Sequence, residues 1–409
     1  MIKVDIVIIG AGIGGLSLGY FLKKNGIDSF IILEKEDIPG GLCRSYRYED
    51  CCWDKFVHVL HSINEEEIDF IQNELEVELL SYRRNAKVIF NNSKDELELI
   101  DFPFQSYIHQ IKDKETRKQC EKIFNNSKNV KSYKDWLLKN FGENQCKYFF
   151  FPYNKKLYGS IFEELVPQGS TQRIAAKGSF GYNQLLYYPE AGGIDRIPNA
   201  FYYKINSHVN VASKVININF KDKIVRVFNS ITNSEVEIKY RKLFSYIPLP
   251  FLCSWLDDFR DILDLKYISL GCFTIIKDVS GFQNIHWIYT ARKDDIYYRI
   301  VFHNSFSPNN SLKEKQIITF EYRLKDRIDL LPLIMYLTND YVKAAFFDSV
   351  VVGYCAYTKG WKKNVESAKK RLKDFDCYSV GRYGGWNWYS MIDVIREAKQ
   401  LANDVINSY

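Results

Sequence analysis

Residues 4–45 read VDIVIIGAGIGGLSLGYFLKKNGIDSFIILEKEDIPGGLCRS, and this stretch decides the fold. An apolar run, Ile6–Ile9, leads straight into Gly10-x-Gly12-x-x-Gly15. A helical pattern carrying Leu16, Leu18, Tyr20, Phe21 and Leu22 follows, and a second apolar run, Phe30–Leu33, ends at Glu34. Strand, turn, helix, strand and acid in that order are what a dinucleotide needs. Gly10 makes the tight turn, Gly12 lets backbone N–H groups approach a pyrophosphate, Gly15 lets the helix lie close on the sheet, and Glu34 holds a pair of ribose hydroxyls. The helix N-terminus adds free N–H donors and the positive end of its dipole. Gly14 in the turn and Lys35 beside the acid complete the expected contacts of this unit.

A second cluster, Pro39-Gly40-Gly41-Leu42-Cys43-Arg44-Ser45, follows the acid and separates FAD from NAD. It resembles the glycine-pair-plus-arginine segment of the amine-oxidase-like flavoproteins. That likeness implies that Gly40, Gly41, Leu42 and Arg44 pass close to the diphosphate and flavin.

Outward from this region, 409 residues allow two or three structural units with a large core. Net charge is +6, which two anionic ligands explain without nucleic acid. The nine cysteines form no C-x-x-C pair and no His-spaced metal pattern, so they read as reduced thiols of a cytoplasmic protein. No signal peptide is read before the first strand, and no apolar run approaches the ~18 residues of a membrane span.

The pattern predicts an α/β protein: a Rossmann-like FAD-binding domain with an inserted helical domain and a mixed or antiparallel sheet on the substrate side. The expected units are 1–63, the first part of the FAD domain; 64–175, a mainly helical insertion; 176–265, the FAD domain continued with strands; 266–375, an antiparallel substrate sheet; and 376–409, the return to the cofactor. Helical periodicity is read in 64–80 and 104–150, and alternation predicts strands in 208–247 and 267–302.

Several separated segments, in order from Val4 to about Asp404, resemble the UDP-galactopyranose mutases, flavoenzymes that interconvert pyranose and furanose forms of a nucleotide sugar. In Phe56-Val-His58-Val-Leu-His61, His58 falls on the family's flavin-facing histidine, although Phe56-Val57 stand where small residues are usual. Asp101-Phe-Pro103-Phe104-Gln105 resembles a turn near the substrate pocket. In Phe149-Phe-Phe-Pro152-Tyr153-Asn-Lys-Lys-Leu-Tyr158, the resemblance implies stacking of Tyr153 on the nucleobase, assisted by Phe149. Tyr158 replaces a family tryptophan facing the sugar, a hint that the sugar is not plain galactose. Arg173 or Lys177 lies where the family keeps a diphosphate arginine, and both alignments stay open. The likeness is sharpest in Tyr297-Tyr298-Arg299-Ile-Val-Phe-His-Asn304-Ser-Phe306-Ser-Pro308, and it implies that Arg299 binds the diphosphate over the flavin, with Asn304 nearby. A strand arginine in an apolar run needs an anionic partner, and an internal carboxylate is the rival to a ligand. In Gly381-Arg382-Tyr-Gly-Gly-Trp386-Asn-Trp-Tyr389-Ser390-Met391, the resemblance puts Gly381, Arg382 and Met391 on FAD and Trp386 and Tyr389 at the phosphates; Tyr357 joins the expected substrate contacts, and Ser390 replaces the usual acid.

No acid/base pair, nucleophilic triad or metal cluster is legible, so the cofactor must carry the reaction. The resemblance implies FAD, needed reduced, whose N5 attacks the anomeric carbon while Arg299 and Arg173 or Lys177 hold the departing diphosphate. It also implies a nucleotide-diphosphate sugar as substrate, NAD(P)H or another transient reductant, and a role in surface polysaccharide synthesis; a homodimer is left open. The rivals are an FAD oxidoreductase of the amine-oxidase or desaturase type and a flavin-retaining protein that only binds nucleotide sugars.

Overall fold

Ile6–Ile9 is buried along its whole length, as an inner strand of a parallel sheet must be when both faces are covered. It pairs in parallel with Phe30–Leu33 on one side and Lys242–Ser245 on the other. Val209–Asn210 and Cys377–Ser379 complete the five-stranded sheet at its two edges. Chain segments near positions 10, 210, 245 and 380 are thereby gathered around one sheet. The computed structural model describes residues 1–61, 63–121, 130–171, 185–256, 264–278, 284–307, 309, 314–324 and 342–407.

Helix Ile13–Lys24 covers this sheet and packs against helices Arg196–Ile205 and Met391–Ile406. The last of these begins at a capping box: the Asp393 N–H donates to Ser390 Oγ at 3.2 Å, and the Ser390 N–H donates back to Asp393 Oδ2 at 2.8 Å. Ile392, Ile395, Ala398, Ala402 and Val405 then recur at helical spacing and are all buried. An acidic residue at Ala398, which has no exposure, would place an unpaired charge in this seam and detach the helix.

A four-stranded layer joins Ile2–Lys3, Ser234–Lys239, Ile224–Asn229 and Ser213–Asn219 in that order. Opposite the parallel sheet stands a seven-stranded one, ordered Val342–Cys355, Tyr267–Asp278, Lys315–Arg323, Tyr297–Phe302, Trp287–Thr290, Ala86–Asn91 and Leu97–Asp101. All its pairings are antiparallel except Trp287–Thr290 with Ala86–Asn91. The strands expected in 208–247 and 267–302 are present.

The expectation of a mainly helical insertion over 64–175 needs correction. The helix beginning at 65 runs only from Glu65 to Asp69 and continues as a single π turn, Phe70–Glu74. Three strands then intervene. Leu79–Arg83 pairs with Leu185–Pro189, and the hairpin Ala86–Asn91/Leu97–Asp101 extends the seven-stranded sheet. In Ala86–Asn91 burial alternates residue by residue, with Val88 and Phe90 inside, which is a period of two rather than 3.6. Helices Lys114–Cys120, Tyr133–Gln145 and Phe151–Tyr158 form the helical part, the last two joined by the π turn Cys146–Phe150.

All nine cysteines are buried and none is in a disulfide. Among the described residues no helix is long and apolar enough to cross a membrane, and no group of His, Cys, Asp and Glu is arranged to hold a metal.

Candidate cofactor and substrate cavity

Where three parallel strands end, the chain turns away from the sheet at Gly10, Glu34 and Tyr246, and all three residues line a cavity of about 1410 Å3. This is where an open α/β sheet binds ligands, outside the carboxyl ends of its strands. The volume exceeds the ~300–1,000 Å3 typical of a pocket for one drug-sized ligand. It suits a dinucleotide together with a second molecule.

The near wall is backbone. Gly10 has φ 99° and Gly40 φ 110°, so an L side chain at either position would be strained. Gly12 bridges Gly40 as an isolated parallel pair, and a Cβ on Gly12 would meet only Gly41 Cα, at 4.0 Å. Space beside Gly12 is therefore kept for something other than protein. Helix Ile13–Lys24 has no side-chain cap and no acid in its first turn, which leaves its N–H donors to a ligand. Glu34 is nearly buried; its Oε2 accepts from the Ala11 N–H at 2.8 Å and its Oε1 from the Glu36 N–H at 3.0 Å. Burial pushes this carboxyl up against those two bonds, and each oxygen keeps a lone pair for a ribose hydroxyl. The Tyr246 ring lies between Gly14 and Gly381, and its buried hydroxyl has no hydrogen-bond partner among the described residues. A glycine cradle, open donors, an acid and an orphaned hydroxyl on one wall fit a dinucleotide such as FAD. Gly14, Lys35, Gly41, Leu42, Arg44 and Met391 line the same cavity.

The far wall is side chain. Phe149 stacks on Tyr153 at 5.5 Å between ring centroids, backed by Phe104 at 5.2 Å. Tyr158 lines the cavity one turn on. Asn154 Nδ2 donates to the Phe150 carbonyl at 2.7 Å and stiffens this helical segment. Arg299 comes from the central strand Tyr297–Phe302 and reaches the cavity, but it also forms the internal ion pair that its apolar strand required. Its Nε donates to Glu321 Oε2 at 2.8 Å, and Nη2 donates to the same oxygen. Tyr298 Oη donates there too, at 2.8 Å, and Glu321 is fully buried. Burial alone would lower the Arg299 pKa; Glu321 more than reverses this and keeps the guanidinium charged. No described residue bonds Nη1. The sequence offered Arg299 either a ligand or an internal carboxylate, and the structure gives it the carboxylate with one guanidinium nitrogen to spare.

Two groups bridge the walls. His58 Nδ1 lies 2.8 Å from the Phe56 carbonyl, so the proton belongs on Nδ1 and Nε2 is left as an acceptor. Burial lowers its pKa to about 4, so the ring is neutral at physiological pH. The Arg382 guanidinium sits 4.6 Å from the Trp388 ring centre and donates to the Tyr389 carbonyl. Tyr389 itself lines the cavity.

Several expected contacts are not on this cavity. Asn304 spends its amide on the strand Lys315–Arg323, donating to the Lys315 carbonyl at 2.7 Å and accepting from the Ile317 N–H at 2.8 Å. Trp386 has no exposure and packs in the core beneath the sheet. Tyr357 is buried in that core against Trp361 and over Gly169. Gly15 lies behind the turn, where an added Cβ would sit 1.9 Å from the Gly10 carbonyl oxygen, and the Gly381 N–H donates to Glu397 at 2.6 Å. Arg173 and Lys177 lie outside the described residues. Sequence reasoning missed Tyr246, Tyr289, Glu321, Tyr354 and Trp388. Only Tyr246 carried a local signal, as the residue after a parallel strand; Tyr289, Glu321 and Tyr354 are brought in by pairing across the seven-stranded sheet, and Trp388 by the loop that precedes helix Met391–Ile406, where it packs on Arg382 and Tyr354.

Comparison with known proteins agrees with this architecture. Residues 8–72 match the NAD(P)-binding Rossmann-like domain family. A curated UDP-galactopyranose mutase from Mycoplasma pneumoniae is 26% identical over 178 residues, 40% of this chain and 43% of the relative, so the match spans less than half of that protein. A crystal structure of reduced UDP-galactopyranose mutase superposes with a TM-score of 0.87 at 20% identity, covering 100% of this chain and 95% of that one. Cyclohexylamine oxidase from Brevibacterium oxydans IH-35A gives 0.71 at 13% identity, with 99% of each chain covered. A fatty acid isomerase from P. acnes gives 0.67 at 16% identity, with 98% of each covered. The chain thus has a Rossmann-like α/β fold shared along its length with a mutase and an amine oxidase, and in sequence and fold together it resembles the UDP-galactopyranose mutases.

Proposed function

We propose that this protein is an FAD-dependent mutase that interconverts ring forms of a nucleotide-diphosphate sugar. One observation carries the reading: a single cavity joins a dinucleotide cradle to an opposite wall of stackable aromatics that includes Arg299. The cradle at Gly10, Gly12, Gly40 and Gly41, with Glu34 and the Arg382 turn, would hold FAD. Bound and reduced, the flavin would supply the nucleophile for the anomeric carbon.

The chain's own residues do the rest. Phe149 and Tyr153 offer a flat face to a nucleobase, worth ~1–3 kcal/mol of stacking. Arg299 presents Nη1 to the diphosphate while Glu321 fixes the plane of the guanidinium, so the leaving group is held through departure and return. Neutral His58 offers Nε2 as an acceptor beside the flavin, and Tyr158 borders the sugar.

The test is to reduce the purified protein with dithionite, offer a panel of nucleotide sugars and follow furanose formation. Activity is expected only after reduction, with no stoichiometric nicotinamide consumed. Full activity with oxidised flavin, or one nicotinamide oxidised per product, would replace the mutase with an oxidoreductase of the amine-oxidase type. A specific observation favours that second reading: Glu321 already neutralises Arg299, so the far wall carries less positive charge than its sequence suggests. UDP titration of the flavin spectrum separates the two, since an amine oxidase has no use for UDP.

A further inference from the structure

Helix Phe151–Tyr158 turns Tyr153, Asn154, Leu157 and Tyr158 to the main cavity, and behind it lies a second cavity of about 800 Å3. Six cationic side chains converge there: Lys147, Lys155, Lys156, Arg292, Lys293 and Arg323. Among the described residues lining it two are carboxylates, Glu143 and Asp295, and Asp294 also acts on Lys156. Asp295 approaches Arg292 at 3.7 Å, and Lys293 reaches out to Asp95 at 3.7 Å. Among the described residues Lys147 and Lys155 form no ion pair, and Arg323 Nε is buried with no hydrogen-bond partner.

A helix C-terminus attracts cations, and that accounts for Lys155 and Lys156 in the last turn. It does not account for Arg323, which ends the strand Lys315–Arg323, or for Arg292, which follows the strand Trp287–Thr290. Three separate elements bring like charge into one concavity. Repulsion among them and the desolvation of Arg323 are costs that an anion would offset. Consistent with this, burial lowers the Arg323 pKa and brings that of Lys156 down to about 8.

We propose that this second cavity binds a small, multiply charged phosphate-bearing anion, at a site separate from the cofactor and substrate cavity and sharing a helix with it. The proposal does not depend on the reaction assigned to the main cavity.

The probe is inorganic pyrophosphate, titrated calorimetrically into the purified holoprotein. Two variants bear on the second cavity: Lys156→Gln/Arg323→Gln, and Lys147→Gln/Lys155→Gln, whose side chains are exposed and leave the fold untouched. A third, Arg299→Met/Glu321→Gln, alters only the main cavity. A pyrophosphate-binding event is expected to persist in the Arg299 variant, which removes only binding at the main cavity, to weaken as salt rises, and to be about tenfold or more weaker in both second-cavity variants. Unchanged affinity in Lys147→Gln/Lys155→Gln, or loss confined to the Arg299 variant, would overturn the proposal. So would binding of phosphatidylglycerol vesicles that depends on Lys147 and Lys155 while pyrophosphate does not bind, since the surface would then serve a membrane and not a small ligand.

Discussion

The two walls of the main cavity are built on different principles. Most of the near wall, Gly10 to Arg44, comes from one continuous stretch and presents backbone: positive φ angles, a helix N-terminus and gaps where side chains would be, with Tyr246 and Met391 added from later in the chain. The far wall draws on segments as far apart as Phe104 and Glu321 and presents side chains whose positions depend on one another, as with Tyr298 and Arg299 both on Glu321. A site made of backbone is set once its strand, turn and helix form. A site made of side chains has to satisfy its own buried charges first, and only the remainder is offered to a ligand.

The sharpest way to break this contrast is within the near wall. Gly15→Ala drives a Cβ to 1.9 Å from the Gly10 carbonyl oxygen, so turn and helix must separate. Loss of soluble yellow protein is expected. Gly12→Ala adds a Cβ whose nearest protein atom is at 4.0 Å, so the chain should fold with a melting temperature near wild type and yet lose flavin. Absorbance per chain and thermal melting measure both. A fully yellow Gly12→Ala would show that the space beside Gly12 does not serve a cofactor.

On the far wall the test uses paired variants. Arg299→Ala leaves Glu321 buried and uncompensated, a defect of ~3–5 kcal/mol, and should lower both the melting temperature and UDP affinity, the latter by about 10²-fold. Arg299→Met/Glu321→Gln removes the charge from both partners and should recover most of the stability without recovering UDP binding. If the double variant binds UDP as wild type does, Arg299 belongs to the fold and not to the site, and the far wall loses the cation assigned to the diphosphate.

The third prediction concerns pH. Burial lowers His58 and His286 to about 4 and His303 to about 3. The unfolded chain takes up protons on these rings near pH 6.5, while the folded chain refuses them until pH 4 or below. Their contribution is therefore fully present above pH 6.5 and is lost as pH falls toward 4 and below, on the order of 3–5 kcal/mol per ring when fully expressed. Asp54 acts with the opposite sign. Burial raises it to about 7, so its contribution is present at low pH and is lost as pH rises through 7. Urea unfolding from pH 7.5 to 4.5 should show a net fall in stability on acidification, steeper in Asp54→Asn. A flat profile in that variant would mean that the histidines are solvated.

Most of the near wall was legible in the sequence, because glycine spacing reports backbone conformation directly. Of the residues expected there, only Gly15 and Gly381 prove to support the wall from behind. The far wall was legible only in part. Phe149, Tyr153, Tyr158 and Arg299 reach the cavity, but Asn304, Trp386 and Tyr357 do not. An asparagine that bonds a neighbouring strand looks like one that bonds a sugar, and a core tryptophan looks like a stacking one. The hairpin Ala86–Asn91/Leu97–Asp101 was not legible because its period-two stretch is short and lies between charged segments.

What the sequence determined by itself was the dinucleotide half: strand, glycine turn, helix and acid lie within 31 residues from Val4 to Glu34, and interactions that local need no distant partner to specify them. What only the tertiary structure decided was which polar groups remain for a ligand. Glu321 is 22 residues from Arg299, a separation at which no periodicity connects them, and antiparallel pairing of their two strands puts them in direct register. The partner of a buried charge is chosen by sheet register, and register is a property of the whole fold.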